Sequence, residues 1–154
     1  MMPKNEPNFV PLRPEHLGRM EELEQLCFSV PWSRAALENE LQNSNARYVV
    51  CELDGRVAGY IGVLLAADVC DITNVAVDPV FRRRHLATQM LDELLRQVPF
   101  WGITTLTLEV RESNAPARAF YEKNGFIPVG RRKNYYEKPV EDAILMGRLL
   151  EDTK

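Results

Sequence analysis

The order of segments between residues 69 and 110 constrains this chain most: a strand, a charged turn, a helix and a second strand. Residues 69–77 read as a strand that stops at Asp78-Pro79. Arg82, Arg83 and Arg84 follow, and an amphipathic helix begins almost at once. Over residues 86–98 it places Leu86, Met90, Leu91, Leu94, Leu95 and Val98 on one face. Residues 105–110 form the next strand. A helix between two strands implies a parallel crossover, so the sheet cannot be a plain antiparallel meander.

The rest of the pattern surrounds that unit. Residues 9–12 read as a short edge strand, since Pro11 is tolerated only there. Pro14 opens a helix through Leu17, Met20, Leu23 and Cys27, and Ser33 caps a second over residues 34–41. Residues 48–53 and 56–65 are strands joined by Asp54-Gly55, a strong hairpin signal. A helix over 115–123 has Ser113 or Asn114 as its cap, Pro116 in its first turn and Asn124-Gly125 at its end. Strands over 126–131 and 143–149 complete the order. The expectation is one α/β (α+β) domain over residues 9–149, a mixed sheet with helices on both faces, between flexible termini at 1–8 and 150–154.

The arginine turn raises the question of function. A helix N-terminus carries unpaired N–H groups and a partial positive charge, so cations are disfavoured there. Three arginines make sense if an anion such as a phosphate-bearing cofactor binds at that point. A solvated charge run is the other reading. The formal net charge is −3, so positive charge is local and wholesale nucleic-acid binding is not expected. The apolar run at 57–67 is too short to span a bilayer, so no membrane contact is expected. The first residues lack the pattern of a signal peptide. Cys27, Cys51 and Cys70 are odd in number and far apart, with no zinc spacing. A cytoplasmic protein with reduced thiols and no metal is expected.

Three segments resemble the GNAT superfamily of N-acetyltransferases. Arg82-Arg83-Arg84-His85-Leu86-Ala87 is similar to its acetyl-CoA-binding pattern, Gln/Arg-x-x-Gly-x-Gly/Ala between strand and helix. More specific are Leu108-Glu109-Val110-Arg111-Glu112-Ser113-Asn114 and Ala119-Phe120-Tyr121-Glu122-Lys123-Asn124-Gly125-Phe126. Pro31-Trp32-Ser33, the run from Arg131 to Tyr136 and the run from Glu141 to Met146 resemble the RimI-type subfamily, which acetylates the N-terminal alanine of small-subunit ribosomal protein 18. The resemblance covers roughly residues 12–149. It implies the GNAT fold, a twisted mixed sheet of about six to seven strands flanked by about four helices. It also implies acetyl-CoA as cosubstrate and a protein N-terminus as acceptor.

By the same resemblance, Val75, Ala76 and Val77 pair with the pantetheine arm. Backbone N–H groups of Arg83, Arg84, His85, Leu86, Ala87 and Thr88 hold the pyrophosphate, and Asn114 touches the cofactor further along. Glu109 matches the general base and Tyr121 the general acid. Read by themselves, Glu109 is also a solvent-facing residue paired with Arg111, and Tyr121 half of a core aromatic pair with Phe120. Tyr135 and Tyr136 hold the acceptor's first residues or pack the base of a loop joining the last two strands. Trp32 lines the opposite wall or anchors the second helix. His85 departs from the pattern, where glycine lets backbone approach phosphate. It crowds the anion, adds a hydrogen bond or points to solvent. No cysteine is placed as a ping-pong nucleophile. The alternatives are a GNAT enzyme for lysine, polyamine or drug amines, and a non-catalytic acyl-CoA-binding module.

Overall fold

The structure, a computed structural model, describes residues 6–82 and 85–150. Its strands are β1 (Asn8–Val10), β2 (Ala46–Leu53), β3 (Arg56–Ala66), β4 (Val69–Val77), β5 (Thr105–Arg111), β6 (Ile127–Tyr136) and β7 (Glu141–Leu149). Helices α1 (Leu17–Cys27), α2 (Arg34–Gln42), α3 (Leu86–Gln97) and α4 (Ala115–Lys123) lie between them. The seven strands form one sheet in the order β1-β2-β3-β4-β5-β7-β6. Every neighbouring pair is antiparallel except β4 and β5, which are parallel. The mixed sheet and its parallel crossover follow from the order of segments in the sequence.

Local chemistry sets the element ends. Asp54 and Gly55 take φ of 51° and 79°, the left-handed pair that a tight hairpin turn needs. The Ser33 hydroxyl accepts from Ala36 N at 3.1 Å, and Asn114 Oδ1 from Ala117 N at 3.2 Å, capping α2 and α4. Asn114, rather than Ser113, is the cap of α4. Gly125 at φ 89° carries the chain out of α4.

Two cores lie on opposite faces of the sheet. Met90, Leu91 and Leu94 of α3 pack with Leu106, Leu108, Tyr121 and Phe126 on one face. Leu17, Met20 and Leu23 of α1 pack with Leu37 of α2, Tyr48 and Tyr60 on the other. At roughly 1.5–3 kcal/mol per buried apolar side chain, tertiary packing rather than helix propensity holds these short helices.

One irregularity positions everything that follows. β4 pairs with β5 only from Val69↔Thr105 to Ile72↔Leu108. The register against β3 shifts at the same place, where Gly62 faces Asn74 and Val63 faces Ile72, leaving Thr73 as a bulged residue. The Thr73 hydroxyl donates to Gly62 O at 3.2 Å. A bulge bends its strand, so β4 turns away from β5 and the sheet opens.

Several boundaries differ from the sequence reading. β1 begins at Asn8, and Leu150 N donates to Thr104 O at 2.8 Å, so the fold reaches one residue further at each end. β6 runs on through Arg131–Arg132 to Tyr136, where a loop was expected. β7 supplies the partners: Arg131 faces Ile144, Arg132 faces Ala143 and Tyr136 faces Glu141, with a bulge between. The termini at 1–5 and 151–154 lie outside the described residues.

Candidate active site

Where β4 and β5 part, a groove of about 1170 Å³ opens through the sheet. Its cofactor-side wall is β4. Beyond Ile72 the edge of β4 that faces β5 has no strand partner among the described residues, and only the Cys27 thiol, on Val77 O, meets part of it, so backbone groups there are left for a ligand. Val75 and Val77 line the groove, whereas Ala76 turns into the core beneath α1. Asp78, buried and paired with Arg19 of α1, accepts from Val80 N at 3.0 Å and ends the strand.

The groove continues to the start of α3. His85, Leu86, Ala87 and Thr88 line it, and the first hydrogen bond of the helix runs from Gln89 N to His85 O at 3.0 Å. The N–H groups of 86–88 therefore precede the helical ladder, as at any helix start. His85 sits at φ 60° and ψ 26°, the left-handed region, with an exposed side chain that makes no cap. Arg82 lines the same stretch, while Arg83 and Arg84 lie outside the described residues. A free strand edge leading to a helix N-terminus suits a ligand with amides along an arm and a phosphate at its end.

The acceptor-side wall is built by β5, β6 and the loop after α1. Thr105, Thr107, Glu109 and Arg111 alternate on the face of β5 opposite α3. Glu109 lines the groove with its side chain 19% exposed. Its partner is Arg132 Nε of β6 at 3.4 Å, rather than Arg111. A hydrogen bond to Glu109 also holds the Tyr135 hydroxyl's pKa above its ordinary value. Arg111 instead serves the β6–β7 turn. It bonds Glu137 O at 2.7 Å and Pro139 O at 2.9 Å, pairs with Glu141 at 3.2 Å and lies 4.5 Å over the Tyr136 ring.

Tyr135 and Tyr136 meet edge to face at 5.1 Å and both line the groove. Trp32 stands in the facing loop with Phe28, Ser29 and Val30. Tyr121, only 9% exposed, packs edge to face on Phe120 and Phe126 and also borders the groove. It therefore serves the core and the groove together. Its hydroxyl has no hydrogen-bond partner among the described residues, and burial pushes its pKa up to about 12. It keeps its proton at any working pH. Asn114 lines the groove too, its Oδ1 engaged in the cap of α4.

Sequence reading missed three features. Arg132 as the partner of Glu109 depends on β6 extending past residue 131. Cys27 lines the groove, a placement the sequence did not indicate. Its thiol donates to Val77 O at 3.5 Å and burial raises its pKa, so it is held as a thiol rather than an activated nucleophile. The third is Glu24, fully buried on α1 and bordering the groove. A carboxylate in the stripe of Leu17, Met20 and Cys27 was a visible signal. His16 is buried: its Nδ1 accepts from Arg13 N at 3.0 Å and its Nε2 meets Glu52 at 2.8 Å.

Comparison with known proteins shows the family and the fold. The sequence profile of the Acetyltransferase (GNAT) family matches residues 17–126. A ribosomal protein bS18-alanine N-acetyltransferase from Haemophilus ducreyi is 37% identical over 142 residues, covering 88% of this chain and 95% of its own. The crystal structure of the ribosomal-protein-S18-alanine N-acetyltransferase from Escherichia coli superposes with a TM-score of 0.89 at 30% identity, over 97% of each chain. The PaiA N-acetyltransferase from Thermoplasma acidophilum, solved in complex with coenzyme A, shares the fold with a TM-score of 0.78 at 17% identity, over 94% of this chain and 99% of that one.

Proposed function

The chain belongs to the acetyltransferase (GNAT) family, and from that premise we propose that it acetylates protein N-termini, taking the acetyl group from acetyl-CoA. The acceptor is the α-amine of an N-terminal alanine, and the protein substrate is ribosomal protein S18, as the names of its relatives suggest. One observation carries the reading: a single groove joins the free edge of β4, the start of α3, the carboxylate of Glu109 and the hydroxyl of Tyr121.

The residues divide the work as follows. The edge at Val75 and Val77 pairs with the pantetheine amides, and the N–H groups at the start of α3 take the pyrophosphate. Arg83 and Arg84 add charge to that end in this reading, and Asn114 contacts the arm further along. When bound, acetyl-CoA supplies a thioester carbonyl open to attack by an amine. Glu109 accepts the proton that the acceptor nitrogen loses. Tyr121, protonated and unpartnered, donates to the departing sulfur. Trp32, Tyr135 and Tyr136 hold the first residues of the acceptor.

Proton chemistry favours an α-amine. A peptide α-amine has a pKa of about 7.7–8.0 against about 10.4 for lysine, a gap worth roughly 3.5 kcal/mol for making the neutral nucleophile. One carboxylate suffices for the first. Serving the second demands a strongly desolvated pocket, and the groove here is open on the β6 side, where Tyr135 is 51% exposed. The test is incubation with acetyl-CoA and peptides of different N-termini, with mass spectrometry to locate the acetyl group. Modification of alanine-terminated peptides is expected, and blocking the α-amine abolishes it. Acetylation of a lysine in the blocked peptide at a comparable rate overturns the reading.

A further inference from the structure

Glu24 is 0% exposed, yet its carboxylate is fully committed to hydrogen bonds. Oε1 accepts from Trp32 N at 2.8 Å. Oε2 accepts from Tyr60 Oη at 2.5 Å and from Asn74 Nδ2 at 2.8 Å. The donors come from three elements: the loop between α1 and α2, β3, and β4. A buried carboxylate is costly to desolvate, and apolar residues of similar volume often serve stability as well or better. Leu17, Met20 and Leu23 on the same helix show that this core takes apolar side chains readily.

The donors point to what the charge is for. Residues 29–32, which wall the acceptor side of the groove, make one hydrogen bond among the described residues: Trp32 N–H to Glu24. Asn74 lies just past the bulge where β4 turns away from β5. The same carboxylate therefore ties the acceptor wall to the cofactor strand at the mouth of the gap.

We propose that Glu24 is a positioning residue that sets the acceptor loop, and with it the width of the acceptor end of the groove, relative to the cofactor strand. This deepens the reading of the chain as an N-terminal acetyltransferase and rests on it. Glu24→Leu roughly keeps the volume and removes every acceptor. The Tyr60 hydroxyl and the Asn74 amide carry acceptors as well as donors and can pair with one another, whereas the Trp32 N–H, a donor only, is left with no hydrogen-bond partner among the described residues. The loop, with one bond to lose, is the part set free.

The test separates acceptor from cofactor. In E24L the KM for an alanine-terminated peptide is expected to rise about tenfold or more, the loss for one hydrogen bond to a charged group, while kcat and CoA affinity change less than about threefold. Tyr60→Phe removes a donor from the same carboxylate without touching the loop. It is expected to lower the melting temperature and leave the peptide KM unchanged. An unchanged KM in E24L, a parallel loss of CoA affinity, or the same KM rise in Y60F overturns the proposal. Residue-resolved hydrogen exchange on the wild-type protein needs no variant to fold. The Trp32 amide is expected to exchange slowly, and fast exchange overturns the tether. If the wild type acetylates no α-amine, the acceptor reading fails by itself, and a slow or fast Trp32 amide still decides for or against the tether.

Discussion

At the scale of single residues, Glu109 and Tyr121 carry the chemistry, and their environments differ in kind. Glu109 is half-buried, shared between Arg132 and Tyr135 on a wall open to solvent. Tyr121 is enclosed by Phe120 and Phe126. On the proposed mechanism, Glu109→Gln lowers turnover by roughly 10²–10⁴-fold, and Tyr121→Phe does similar damage with CoA affinity nearly intact. Single-turnover rates on variants shown to be folded, with calorimetry for CoA, check both. His85 gives a second prediction. A left-handed backbone costs an ordinary L-residue about 1–2 kcal/mol, though histidine tolerates it better than most, and glycine loses about 0.5–1 kcal/mol of that through chain entropy. His85→Gly is therefore expected to leave stability within about 1 kcal/mol and CoA affinity equal or tighter. A large loss of affinity in calorimetry would make the imidazole a ligand. The requirement for a special backbone at this position was legible from the motif. The identity of Glu109's partner was not, because it depends on a cross-strand register that no local pattern encodes.

Among the elements, the β6–β7 hairpin departs most from its sequence. Its apolar alternation lapses after residue 131, so pattern alone ends the strand there. The structure continues it because β7 offers partners on both sides of the bulge. Side-chain clamps then fix the tip: Arg131 reaches Glu112 and Asp142, Glu141 takes Ser113 N, and Arg111 forks onto two turn carbonyls. Lysine has the charge but not the fork. Arg111→Lys is expected to cost about 1–3 kcal/mol, with the loss concentrated at residues 135–140. Amide exchange that quickens there while the β2–β3 ladder stays protected is the result expected. Uniform quickening would mean that Arg111 supports the whole sheet instead. The helices were easier to read than this hairpin, since Ser33, Asn114 and Gly125 act within a turn of their own positions.

For the molecule as a whole, alkaline pH is the informative stress. All five tyrosines have pKa values raised in the folded state, Tyr121 and Tyr136 to about 12. Burial does the same to the thiols of Cys51 and Cys70, to about 11 and about 12. A raised folded-state pKa means the native protein holds a proton that the unfolded chain gives up. The stability tied to these groups is whole below their ordinary values of 9 and 10 and drains away as pH climbs towards 12. A melting temperature that falls from about pH 9 and steeply above pH 10 is expected, and one flat to pH 12 would contradict the burial seen here. The overall architecture was legible because an order of strands and a helix fixes it; the opening in the sheet was not, since a one-residue bulge at Thr73 makes it. That opening has a mechanical side. The β1–β4 ladder and the β5–β7 ladder are two plates joined by strand pairing over four residue pairs, with α3 lying mainly on the first. A ligand bridging the gap stitches both plates together, so on the proposed reading cofactor occupancy registers as stiffness as well as rate.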